Sequence, residues 1–128
     1  MHPFLIADDS PDKTMMLTMM LRHSHWDGEI FHAPTTEEAT ALIDAHPDIA
    51  HAFIDYYMPS QNGPAVIAYL KKKNPAAHIA LVSSSDNKEN CDEALGTGAE
   101  TCICTSYTSD EVERSILGLL AQWQEQNT

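Results

Sequence analysis

Phe4-Leu5-Ile6-Ala7-Asp8-Asp9-Ser10-Pro11 is the stretch that decides how this chain is read. A short apolar run ends in two acids and passes at once into a helix start, with Ser10 as the cap and Pro11 in the first turn. A second apolar run, Ala52-Phe53-Ile54, ends in a third acid, Asp55. If the two runs are neighbouring parallel strands, three carboxylates meet at one edge of a sheet. Two carboxylates about 4 Å apart repel by roughly 4 kcal/mol at an effective dielectric near ~20. Three together call for a divalent cation or for protonation. Mg²⁺ is the simplest remedy, because it takes oxygen ligands and keeps some of its water.

Working outward, short apolar runs alternate with amphipathic stretches, with no linker, repeat or low-complexity segment between them. The first strand is about Phe4 to Ala7. In the helix after it, Met16, Met19, Met20 and His23 recur at helical spacing, which reads as a plastic core face. Gly28 precedes a short strand, Glu29 to His32. Thr35-Thr36-Glu37-Glu38 is a capping box for a helix that ends near His46-Pro47. Ile49 to Ile54 is the third strand. The loop from Tyr56 to Asn62 leads to Gly63-Pro64 and a helix ending at Lys73-Asn74-Pro75. The run Lys71-Lys72-Lys73 suits a helix C-terminus, where the macrodipole favours cations.

Ile79 to Val82 is the fourth strand, with Ser83-Ser84-Ser85 as its polar exit. A helix from about Asn87 to Leu95 stops at Gly96 or Gly98. Thr101 to Cys104 is the fifth strand. Thr108-Ser109-Asp110-Glu111 opens the last helix, whose buried stripe is Ile116, Leu119, Leu120 and Trp123.

Strands alternating with helices imply an α/β fold with a parallel sheet covered on both faces. Right-handed crossovers leave a few doubly wound orders. In the flavodoxin-like order 2-1-3-4-5, the acids after strands one and three lie at the switch point, where such sheets form their sites. One domain over residues 1–128 is expected, with 43% hydrophobic residues to build its core.

The formal charge of −12 argues against direct nucleic-acid binding. No run of about 18 apolar residues occurs, so no membrane span is expected. No basic-plus-apolar leader precedes Asp8, so no secretion signal is expected, and a cytoplasmic location follows. Cys91, Cys102 and Cys104 are an odd count without metal spacing, and read as reduced core thiols. The seven histidines are scattered. His23 and His25 are too close for one helix face and make no convincing metal site.

With these elements in place, the chain resembles the receiver domain of two-component response regulators, the family of the chemotaxis response regulator. The resemblance rests on Leu5-Ile6-Ala7-Asp8-Asp9-Ser10, on Phe53-Ile54-Asp55-Tyr56-Tyr57-Met58-Pro59 followed by Asn62-Gly63, on Leu81-Val82-Ser83-Ser84, and on Gly98-Ala99-Glu100. It covers nearly the whole chain.

The resemblance implies that Asp55 accepts a phosphoryl group, and that Asp8 and Asp9 organise Mg²⁺ together with Asp55 and the Tyr57 carbonyl. It implies that Ser83 is the switch hydroxyl. The implied partners are a histidine kinase or phosphotransfer protein and a downstream protein target. The implied role is a signalling switch rather than an enzyme. Two positions depart from the family. Thr105-Ser106 stands where it has Lys-Pro after the fifth strand, and Cys102 stands where it often has an aromatic switch residue. Losing the lysine's charge-assisted hydrogen bond costs roughly 1.5–3 kcal/mol, and neither Lys88, expected on the outer face of the fourth helix, nor Lys13 is expected to replace it. Without proline, the Thr105–Ser106 bond is expected trans. The alternative is a pseudo-receiver that keeps the fold and signals by binding alone. A metal-dependent phosphatase or a flavodoxin relative is a further alternative, the latter weakened by the lack of a Gly-rich loop after the first strand.

Overall fold

The computed structural model describes residues 2–126. Its elements alternate in chain order as β1 (Phe4–Ala7), α1 (Pro11–His23), β2 (Ile30–Ala33), α2 (Thr36–Ala45), β3 (His51–Ile54), α3 (Gly63–Lys73), β4 (His78–Ser83), α4 (Lys88–Thr97), β5 (Thr101–Cys104) and α5 (Ser109–Gln126). All strand pairs are parallel, in the order β2-β1-β3-β4-β5. The doubly wound, flavodoxin-like reading therefore stands.

Local sequence sets the element ends. Ser10 accepts from the Lys13 N–H at 3.3 Å, with Pro11 opening α1. Thr35 accepts from the Glu38 N–H at 3.1 Å, and Thr108 from the Glu111 N–H at 3.3 Å, so the threonine half of each expected capping box forms. Gly98 ends α4 in the left-handed region at φ 131°. Lys71 at the end of α3 donates to the carbonyls of Pro75 and Ala77, at 3.0 and 2.9 Å.

The strands' alternation divides the core into two layers. Leu5, Ala7, Ala52 and Ile54 face α2, α3 and α4. Phe4, Ile6 and Phe53 face α1 and α5, where Ile116, Leu120 and Trp123 are buried and Leu119 is half-buried. Each fully buried large apolar side chain contributes about 1.5–3 kcal/mol. β3 begins at His51, two residues later than expected; Ile49 is buried just before it.

Two expectations are corrected. Leu17 and Leu21 are the core face of α1, while Met15 and Met19 are exposed and Met16 and Met20 only border the core. The Met face instead lines an open groove with Glu113 and Leu117 of α5. Nor are Cys91 and Cys102 separate thiols: a disulfide joins them, with Cα atoms 5.9 Å apart, tying α4 to β5. That separation lies within the range a bridge requires. Cys104 is the free cysteine. Among the described residues no helix is long and apolar enough to cross a membrane.

Candidate functional site

Register brings the acids together. β1 and β3 run side by side with Ala7 opposite Ile54. The ladder continues one step further, through the Asp55 N–H to the Ala7 carbonyl at 2.9 Å. The Asp8 N–H bonds the Ala33 carbonyl on the other flank, also at 2.9 Å. Asp8 and Asp55 are thus neighbours at the carboxyl edge of the sheet. One carboxylate oxygen each from Asp8, Asp9 and Asp55 lies within 4.8 Å of the other two.

The three acids differ in environment. Asp8 is buried, Asp55 half-buried and Asp9 exposed. Asp8 Oδ1 accepts from the Ser10 N–H at 2.9 Å, whereas the buried Oδ2 lies against the Lys13 ammonium. Asp55 Oδ1 accepts from the Tyr56 N–H at 2.9 Å. Burial pushes the Asp55 carboxyl above the usual carboxylate range; Lys13 draws it back down and Asp8 pushes it up again.

Lys13 is the residue that sequence reasoning discounted. Its ammonium lies 2.8 Å from Asp8 Oδ2 and 3.1 Å from Asp55 Oδ1. Its side chain is 11% exposed, so the stem is packed and the charge is inside the site. Sequence holds one signal for this. A lysine in a helix's first turn opposes the macrodipole, at about 0.3–1 kcal/mol, and therefore has a reason elsewhere. Lys88 behaves as expected: it is 87% exposed and pairs with Asp92.

The other expected residues surround the acids. Ser83 ends β4, buried, and its Oγ accepts from the Ser85 N–H at 3.2 Å. Thr105 follows β5 and donates its N–H to the Ser83 carbonyl at 2.9 Å, which holds the two loops together. The Thr105–Ser106 bond is trans. Tyr57 lies two residues beyond Asp55; its ring is exposed, and its hydroxyl accepts from Asn90 at 3.0 Å. Tyr56 donates to Glu93 at 2.6 Å. Both tyrosines thus link the loop after β3 to α4. Cys102, at the expected aromatic position, is half-buried and bridged to Cys91.

Comparison with known proteins agrees with this layout. The profile of the response regulator receiver domain matches residues 4–116. The probable transcriptional regulatory protein TcrX of Mycobacterium tuberculosis is 25% identical over 120 residues, 91% of this chain and 48% of that protein. The chain spans about half the length of the curated relatives it matches. The Mn²⁺-bound form of response regulator Rcp1 superposes with a TM-score of 0.82 at 16% identity, covering 96% of this chain and 94% of that one. The phosphorylated cyanobacterial phytochrome response regulator RcpA superposes with a TM-score of 0.83 at 16% identity, covering 99% and 96%.

Proposed function

The chain belongs to the response regulator receiver domains of two-component signalling, and on that premise we propose that it accepts a phosphoryl group on Asp55, with Mg²⁺, and signals through protein contacts. The observation that carries this is the convergence of Asp8, Asp9 and Asp55, with ligand atoms within 4.8 Å, at the open edge of the sheet. That Rcp1 was solved with Mn²⁺ and RcpA in phosphorylated form supports it further.

The donor set fits a hard divalent cation. It consists of carboxylate oxygens, and one of them, the buried Asp8 Oδ2, already draws a cation, the Lys13 ammonium at 2.8 Å. Asp8, Asp9, Asp55 and the Tyr57 carbonyl would hold the ion, which would supply positive charge to the transferring phosphoryl oxygens. The chain's own residues do the rest. The Tyr56 N–H fixes Asp55 Oδ1, which leaves Oδ2 to attack phosphorus. The buried Ser83 hydroxyl donates to an added phosphoryl oxygen.

In this role the donor is a histidine kinase or phosphotransfer protein in the cytoplasm, and the receiver of the signal is another protein. The domain is a switch, not an enzyme. The net charge of −12 turns it away from nucleic acid.

A second reading, a pseudo-receiver that acts by binding alone, is favoured by two observations. Thr105 carries no charge after β5, and Cys102 is tied to Cys91 where a mobile aromatic would sit. Beryllofluoride with Mg²⁺, followed by NMR, separates the two. Saturating shifts at Asp55, Ser83 and Thr105 are expected of the phosphoryl acceptor; an unchanged spectrum belongs to the pseudo-receiver.

A further inference from the structure

Seven lysines and arginines serve nineteen acids in this chain, and their placement is uneven. Arg22 donates to the Trp26 and Gly28 carbonyls. Lys71 holds the carbonyls after α3. Lys73 pairs with Asp44, and Lys88 with Asp92. Lys72 and Arg114 are exposed on α3 and α5. Among the described residues only Lys13 pairs with the acid cluster, and it pairs with two of the three acids at once.

A phosphoryl group on Asp55 would bring close to two negative charges into a site that already holds Asp8 and Asp9. A divalent cation offsets only part of that load. Extending the proposal above, we propose that Lys13 is the cationic positioning residue of this site, supplying from the first turn of α1 the charge that is missing after β5.

In the unloaded state the ammonium holds Asp8 and Asp55 apart from full repulsion. On transfer, an Asp55 oxygen lone pair forms the new P–O bond. The bond from phosphorus to the donor atom breaks, and its electron pair leaves with the donor. Lys13 keeps its protons throughout and turns its hydrogen bonds from the carboxylate to a phosphoryl oxygen. Its long stem stays packed, at 11% exposure, while the charged tip faces the acids.

Two measurements on four proteins test it: the rate of adduct formation from acetyl phosphate with Mg²⁺, followed by intact mass, and Mg²⁺ affinity by calorimetry. The proteins are wild type, Lys13→Met, Thr105→Lys and the double variant. Lys13→Met keeps most of the stem's packing. It should slow adduct formation by about ten- to hundredfold, the worth of one charge-assisted hydrogen bond. It should also tighten Mg²⁺ binding by about two- to fivefold, because a competing cation has gone. The double variant should recover most of the rate, while Thr105→Lys alone should add little. A merely structural role for Lys13 would weaken both properties and would not be rescued from β5; that outcome overturns the inference. So does a Lys13→Met protein labelled as fast as wild type. If wild type itself forms no adduct, the phosphoryl-acceptor reading falls and this inference falls with it.

Discussion

Gly63 passes so close beneath Asp55 that a β-carbon built on it would stand 2.0 Å from the Asp55 carbonyl oxygen. The same glycine donates its N–H to the Tyr56 carbonyl at 2.7 Å. The start of α3 is therefore pressed against the backbone that aims the candidate nucleophile. The obstacle to a side chain is rigid backbone, not a flexible tip. Gly63→Ala should cost about 1–3 kcal/mol and move the loop from Tyr56 to Asn62. A denaturant titration checks the first effect, and weaker Mg²⁺ binding the second. Wild-type values for both would mean that the loop is softer than this packing implies.

At the opposite end of the sheet, His51 is buried among aromatic rings, 4.7 Å from Trp26 and 5.3 Å from His78 between centroids. Among the described residues neither ring nitrogen has a hydrogen-bond partner. Burial, then His78 and His2, lower its pKa from 6.5 to about 3. The folded protein thus refuses a proton that the unfolded chain accepts near pH ~6.5. This contribution is intact above that pH and declines as pH falls toward 3, by up to about 1.4 kcal/mol per pH unit. His51→Phe should flatten the profile in that window, as measured by urea unfolding from pH 4 to 7. An equal slope in both proteins would assign the acid sensitivity to other groups.

The Cys91–Cys102 bridge closes a short loop between α4 and β5. Such a loop restrains the unfolded chain by about 2–3 kcal/mol in the chain-entropy account. Unreduced, denatured protein should present one thiol to iodoacetamide, Cys104, and three after reduction. Reduction should lower the melting temperature, and Cys91→Ser should reproduce that drop. Three reactive thiols without reductant would show that the bridge does not form in the purified protein.

Asp9→Asn should weaken Mg²⁺ binding by roughly tenfold or more, since Asp9 is the exposed carboxylate of the donor set. Calorimetry is the suitable probe. Trp26 and Trp123 pack on Phe4 and His51, at the strand starts, whereas Asp8 lies four residues along β1. At about 3.3 Å per residue that is roughly 13 Å away, so indole fluorescence should respond little. Undiminished affinity in the Asn variant would remove Asp9 from the metal site.

Much of this architecture was legible because β1 and β3 are apolar runs that each end in acid. Once they are parallel neighbours, Asp8 and Asp55 must meet. The threonine caps at Thr35 and Thr108 were legible for the same reason: the signal is local. What escaped was tertiary. The α1 core face is Leu17 and Leu21, and the methionines beside it gave the same helical period on a neighbouring face. The Cys91–Cys102 pairing needs the relative placement of α4 and β5, which spacing does not encode. Lys13 was missed because long side chains reach places their sequence neighbours do not announce; its unfavourable place in a first helical turn was the one available sign.

The central claim is that this sheet edge is a phosphoryl-accepting site with Asp55 as its nucleophile. The most direct test is incubation of wild type and Asp55→Asn with acetyl phosphate and Mg²⁺, read by intact mass and by mapping the modified peptide. A single phosphoryl adduct on Asp55, absent without Mg²⁺ and absent in the Asn variant, is the expected result. No adduct on wild type, or an adduct that persists in Asp55→Asn, would contradict the account.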